Sequence, residues 1–451
     1  MAIRNVILGA VLLALSLIGN AHAASYYIST SGDDTNNGTS PGAPWRSPSR
    51  GQGVRLNGAA SAGSTTLSVR DTAGFLPSGS VRLNGALYNY SSKTDTSFSL
   101  DSGLVGDAND SDIIQDGTIL GGTGFQPGDV INLTGTFNNE QLRFKASGTN
   151  SSNIIYQSAP GQRAFFNIVN RPGTSKGVIW NDGEGASTKS EFVTFSGIDV
   201  KIDQNGTGGG PAIGLSGANS ITFDDMDIHA TGSLGDGSIA FRNVKGSSNM
   251  VLNSVLRSRF AEGVRGDISG STIVRNTVIW DSDVGLGQIN GGTIDARNLT
   301  IIGGPASQLW AAHTENSTIM LNDSIIVGQP TGVWNLTRTA LNSNAGATVS
   351  GDHNLFFDLS DDNYYGGNWS PGANDQPGAN GQPGVDPEFV NMGLDDFSRG
   401  QDNWLRFLSS SPAAFASSTG SFIGAKDLVP EPGSFMLLVA AGVGAMARRR
   451  R

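Results

Sequence analysis

Short apolar runs recur along residues 211–340, separated by polar, turn-rich segments. They read A-I-G-L at 212–215, S-I-A-F at 238–241, G-V-R-G at 263–266, V-G-L-G at 284–287, Q-L-W-A at 308–311 and G-V-W-N at 332–335. With Ile213, Ile239, Val264, Leu286, Leu309 and Val333 taken as equivalent, the steps are 26, 25, 22, 23 and 24 residues. A second strand follows each of the first five, opening at Asp225, Asn253, Asn276, Asn298 and Asp323, at offsets of 12, 14, 12, 12 and 14 residues. A fixed period in the twenties with β-branched strands is the signature of a solenoid. The Leu-x-x-Leu-x-Leu pattern of leucine-rich repeats is missing. No unit can bury its apolar face alone, so each stacks on the next at about 4.8 Å. The pattern predicts an all-β fold, a right-handed parallel β-helix, with the repeated Asn and Asp residues forming a ladder in the turns.

Alternation along a strand then sorts the candidate chemistry. If the six equivalent residues point inward, the next row outward is Gly214, Ala240, Arg265, Gly287, Trp310 and Trp334. Two positions on, the same face carries Ser216, Arg242, Asp267, Ile289, Ala312 and Leu336. Arginine forks suit uronate carboxylates and aromatic faces suit sugar rings, so Arg242, Arg265, Trp310 and Trp334 are the expected binding residues. The competing reading packs both tryptophans under the loop after Asp361. Hydrolysis of a glycoside needs two carboxylates roughly 5–9.5 Å apart, for which Glu262, Asp267, Asp281 and Asp283 are the nearby candidates. A lyase needs a base, for which Arg265 is a candidate, and a carboxylate neutraliser, often Ca²⁺. Asp224, Asp225 and Asp227 are the candidate calcium ligands, with the turn ladder competing for Asp225.

Composition narrows the setting. Cysteine is absent, so neither a disulfide nor a thiolate metal site can form. Residues 1–23 have a positive start at Arg4, an apolar run and an Ala-His-Ala cleavage site, the pattern of a secretory signal. Removing Arg4 and the four arginines at 448–451 takes the basic residues from 29 to 24. Removing Glu431 takes the acidic ones from 39 to 38, so the remainder carries 24 − 38 = −14. That charge argues against a nucleic-acid partner. At the other end stand Pro430-Glu431-Pro432, a short apolar stretch at 433–447, and the four arginines. In order and spacing these resemble the PEP-CTERM sorting tail. The resemblance implies a Gram-negative bacterium, a transient membrane contact through the tail, an exosortase-type protease as partner, and a cell-surface or extracellular destination. Bacteria of this kind commonly make exopolysaccharide.

The rest of the chain is assigned around the coils: residues 24–53 start the helix and its N-terminal cap, 54–117 form an inserted module, 118–425 the β-helix with its C-terminal cap, and 426–451 the tail. The opening Tyr26-Tyr27-Ile28, the Ser/Gly/Asp/Asn loop at 31–40, Pro44-Trp45, and Pro127-Gly128-Asp129 before an apolar strand resemble the start of pectate-lyase-like β-helix proteins. Asp386-Pro387 and Ser411-Pro412-Ala413 resemble their C-terminal segment. The loop at 33–44 is not an EF-hand, because Pro44 stands where the last glutamate belongs. The insert repeats V-R-L-N-G-A at 54–59 and 81–86 and alternates like a small antiparallel sheet. G-x-S-x-G at 173–177 lacks the following helix of a nucleophile elbow. The N-T-D, G-H-G and R-I-K motifs of polygalacturonases and the R-x-P-x-x-R of pectate lyases are missing. Two classes stay open: a protein that binds and cleaves an acidic polysaccharide, or a non-catalytic matrix or adhesion protein on the same scaffold.

Overall fold

The computed structural model describes residues 23–169, 177–181, 190–205, 210–233, 238–303, 310–328, 341–343 and 347–357, with short pieces at 372–375, 386–387, 411–413, 417–419 and 423–425. Residues 1–22 of the expected signal, Trp334, Pro430, Glu431, Pro432 and the rest of the tail lie outside these residues. Among the described residues no helix is long and apolar enough to cross a membrane. The regular structure there is β-strand apart from a 3-10 turn at Leu120–Gly122. Two compact units divide the chain: residues 1–135, 145–162 and 191–194, and residues 136–144, 163–190 and 195–451.

The second unit is a right-handed parallel β-helix, the sense that crossovers between parallel strands take. One coil runs through Asn219–Asp224, Asp227–Ser233 and Ile239–Val244. In the next two coils single long strands, Val255–Asp267 and Val278–Ile289, serve the last two positions. Every coil pairs in parallel with its neighbours, which gives three inward ladders. One is Ile213–Phe241–Val264–Leu286–Ala312. Another is Phe137–Phe166–Val200–Ile228–Leu256–Ile279–Ile301–Ile326–Phe356. The third is Phe223–Val251–Val274–Ala296–Leu321. All these side chains are buried. Stacking of like on like extends to rings: Phe195 lies on Phe223 at 4.9 Å with planes 6° apart.

The turn into the second strand explains the repeated Asn and Asp. Asp225, Asn253, Asn276, Asn298 and Asp323 all have left-handed backbone, with φ of 56, 47, 47, 56 and 50°. Short polar side chains tolerate that region best after glycine. The backbone N–H of each donates to a carbonyl one coil on, from Asp225 to Leu252 through Asp323 to Asp352. The side chains add a second ladder, Asn276 Nδ2 to Asn253 Oδ1 at 3.0 Å and Asn253 Nδ2 to Asp224 Oδ1 at 2.8 Å. Gly197 and His353, at φ 69 and 60°, extend the row at its two ends.

The register of the strand before this turn departs from the sequence expectation. Phe241, not Ile239, pairs with Ile213, and Ile239 pairs with Pro211. Ala312 pairs with Leu286 in the position expected of Leu309, which lies outside the described residues, as does Val333. S-I-A-F offers two apolar residues two apart, and both are buried, so alternation alone could not choose between them. On the outer face of the later coils, Val255, Val278, Trp280, Ile302, Ile325, Val327 and Leu355 are covered by Ala413, Ile423 and Ala425. This cover is pinned by Ser418 N–H to Asp323 Oδ1 at 2.6 Å and Ala425 N–H to Thr300 Oγ1 at 3.0 Å.

In the first unit Ser25–Ser29, Val130–Thr134 and Ile154–Ser158 pair in parallel as the opening coils. Beside them in sequence, a six-stranded antiparallel sheet spans Val54 to Asp116 and closes around its own apolar core. The two V-R-L runs have a shared role there: Val54–Arg55 and Gly79–Leu83 flank the same strand, Ile113–Asp116, from opposite sides. A buried Arg50–Asp116 ion pair anchors the end of that strand.

Candidate functional site

The corrected register brings the expected arginines closer than alternation had placed them. Arg242 and Arg265 pair directly on adjacent coils, in an outward row that reads Gly214–Arg242–Arg265–Gly287–His313. One glycine beside this row and one within it make room for neighbouring side chains. Gly266, on the inner side, leaves room for the buried Gln288, whose carboxamide a Cβ at Gly266 would overlap. Gly287 does the same on the outer side for Glu262, whose Oε2 would lie 2.8 Å from an added Cβ.

Four side chains form a continuous chain of charge-assisted bonds. Arg242 Nε donates to Asp267 Oδ2 at 2.7 Å, and Arg265 Nε donates to Asp267 Oδ1 at 2.9 Å. Arg265 Nη1 donates to Glu262 Oε1 at 2.7 Å. Asp267, which joins the two arginines, is the most enclosed at 5% exposure, against 36% for Arg242, 23% for Arg265 and 19% for Glu262. The terminal nitrogens of Arg242 have no partner among the described residues, and the second oxygen of Glu262 is buried without one. Burial pushes the Glu262 carboxyl above its ordinary value, and Asp267 adds to the rise against the pull of Arg265 and Arg242. Burial alone would lower Arg265, but Glu262 and Asp267 outweigh it and hold the guanidinium above its usual value. The partners differ because Glu262 has one arginine bond against a large desolvation penalty, whereas Arg265 has two carboxylates.

The remaining candidates fall elsewhere. Trp310 opens the strand Trp310–Glu315 and pairs with Val284, so its backbone sits in the Ile239–Glu262–Val284 row; His313 takes the place beside Gly287 expected of it. Asp281 is buried with φ 53° where the strand Val278–Ile289 bends, and Asp283 is exposed beyond it. The Arg242–Asp267–Arg265–Glu262 chain closes without either. Asp224 accepts from Asn253, Asp225 holds Arg163 at 2.9 Å, and Asp227 is forked by Arg257 at 2.9 and 3.0 Å. These three carboxylates do not converge, and no group of three metal-ligating side chains gathers among the described residues.

A second basic row escaped the sequence reading. Lys201, His229, Arg257 and Trp280 pair in succession on the outer face of the strip that follows the Asn ladder. Burial lowers the His229 pKa to about 4, with Arg257 and Lys201 adding to the effect. Its signal in the sequence is the alternation of the second strands, Asp227-Ile228-His229, Val255-Leu256-Arg257 and Val278-Ile279-Trp280, in which the residue after the inward one is large and polar or aromatic.

No family model matches the chain, and no curated protein does. Among solved structures, pectate lyase Pel9A matches over 90% of this chain and 97% of its own, at 13% identity and TM-score 0.47. A rhamnogalacturonan lyase matches over 74% of this chain and 87% of its own, at 13% identity and TM-score 0.40. An alginate lyase from Paenibacillus sp. str. FPU-7 matches over 55% of this chain and 92% of its own, at 15% identity and TM-score 0.31. Likeness at this level says nothing of chemistry, which rests on the side chains above.

Proposed function

We propose that this chain is an exported, cell-surface or extracellular β-helix protein that binds an acidic polysaccharide through Arg242 and Arg265. The observation that carries the reading is their direct pairing in one outward row, with the Arg242 side chain 36% exposed and its terminal nitrogens without a partner among the described residues. Gly214 and Gly287 put no side chain beside them. A polymer laid along the helix axis meets one row position every ~4.8 Å, and a planar guanidinium binds a carboxylate in two-point fashion. The Glu262 and Asp267 carboxylates hold Arg265 in place and leave Arg242 to face the ligand. Calcium is not invoked, because Asp224, Asp225 and Asp227 are each engaged separately.

Export through residues 1–23 and exosortase sorting through Pro430-Glu431-Pro432 belong to the same proposal. They are supported by the Ala-His-Ala site and by the order of the tail, and mass spectrometry of surface material checks both ends. Binding is tested by titrating polygalacturonate, alginate and a neutral glucan into the chain and its Arg242→Ala variant. Uronate binding that Arg242→Ala weakens supports the reading; equal binding by both proteins, or none, overturns it. The same incubations read cleavage. Unsaturated ends mark a lyase, reducing ends without unsaturation a hydrolase, and neither a matrix or adhesion protein.

A further inference from the structure

The first unit has an open cleft of about 430 Å³, walled by Thr35 and Asn37 of the first loop and by Thr118, Ile119 and Leu120 where the antiparallel sheet returns, with Tyr26 among its lining. Among the described residues no charged side chain lines it. Tyr26 is rigidly held. Its ring stacks on Trp45 at 5.5 Å with planes 10° apart and meets Phe125 edge-on at 5.2 Å. Trp45 is fully buried and donates its indole N–H to the Asn36 carbonyl at 2.8 Å. The Tyr26 hydroxyl has no partner among the described residues, and burial, with Asp129, holds its pKa above the ordinary value, so it stays a neutral donor and acceptor. Leu120 has left-handed backbone at φ 53°, a conformation a bulky residue rarely accepts, followed by Gly121 and Gly122 at 61 and 73°. That turn keeps Leu120 and Ile119 half-buried in the wall of an otherwise polar cleft. Strain of this kind persists only where the surrounding structure holds it in place.

A rigid ring and two aliphatic side chains, rimmed by hydroxyl and amide groups, match the apolar face and hydroxyl edge of a sugar. The lack of any charge disfavours a uronate, whose carboxylate would lose water without gaining a partner. We infer that this cleft is a second glycan subsite, selective for an uncharged pyranose. It does not depend on the arginine row, and it gives the antiparallel sheet a part in recognition, since its return supplies one wall.

The test titrates cellohexaose, maltohexaose and mannohexaose into the full chain by calorimetry, alongside three variants. Asn37→Trp fills the cleft from an exposed position, Tyr26→Phe keeps the stack and removes the hydroxyl, and Arg242→Ala serves as the control. At least one hexasaccharide should bind, Tyr26→Phe should weaken it by about tenfold or less, and Asn37→Trp should abolish it. Arg242→Ala should leave it unchanged. No binding by any of them at millimolar concentration, or binding that survives Asn37→Trp in a protein with unchanged melting, overturns the inference. Loss of uronate binding on Arg242→Ala is read separately, so either site can fail while the other stands.

Discussion

Arg242 and Arg265 share a carboxylate but should differ sharply in what their removal costs. Arg265→Ala leaves Glu262 with no cationic partner and Asp267 with one, at 19% and 5% exposure. Breaking a pair in such a setting costs about 3–5 kcal/mol when fully buried; the partial exposure of Arg265 and Glu262 brings the expectation to about 3 kcal/mol. Arg242→Ala removes one bond from a side chain that is 36% exposed, and Asp267 keeps its bond to Arg265. That cost should be about 1 kcal/mol. Urea midpoints at unchanged slope measure both. The Arg265→Ala deficit should shrink as pH falls, because a protonated Glu262 no longer needs a cation. Adding Glu262→Gln to Arg265→Ala should recover part of the loss at neutral pH, a coupling that a double-mutant cycle resolves. Equal costs for the two arginines, or a deficit in Arg265→Ala that does not change with pH, would refute the chain of bonds described here. The outcome also decides which variant is fit for binding work: Arg242→Ala reports on the ligand with little change in the fold.

Two further outcomes follow from the same reasoning. The His229 pKa is depressed to about 4, so its contribution is present above the ordinary value of 6.5 and is lost as pH falls toward about 4; His229→Gln should flatten the fall in melting temperature over that window, and an unchanged slope would contradict it. In the turn ladder, Asn276→Ala should cost about 2 kcal/mol, from the left-handed backbone and the lost bond to Asn253, and Asn276→Gly only about 1 kcal/mol; a glycine variant less stable than the alanine one would show that φ is not the cause.

Much of this architecture was legible in the sequence because one backbone requirement repeats. Asp225, Asn253, Asn276, Asn298 and Asp323 are interchangeable in a left-handed turn, so the ladder shows itself as a chemical rhyme. His353 occupies the same turn with a side chain that does not rhyme, and it escaped notice for that reason. The inward ladder was harder. Ile239 and Phe241 are both apolar, both buried and two apart, so only pairing distinguishes them. The coil from Leu286 to Ala312 is longer than the one before it, and the run at 308–311 offered an apolar residue at the expected step. That slip assigned Trp310 a place in the arginine row that His313 holds. Arg242, Arg265, Asp267 and Glu262 each stand out as candidates in the sequence because charged residues are few in these strands, but their grouping into one bonded set is not legible there. An i,i+3 contact from Glu262 to Arg265 is one that strict alternation does not foresee.

The structure of the chain bound to a short oligogalacturonate tests the central claim most directly. A uronate carboxylate should lie within hydrogen-bond distance of the Arg242 terminal nitrogens, with Nε still donating to Asp267 and the next sugar over the adjacent coil. An oligouronate bound on another face, with the Arg242 terminal nitrogens still facing solvent, would contradict the account.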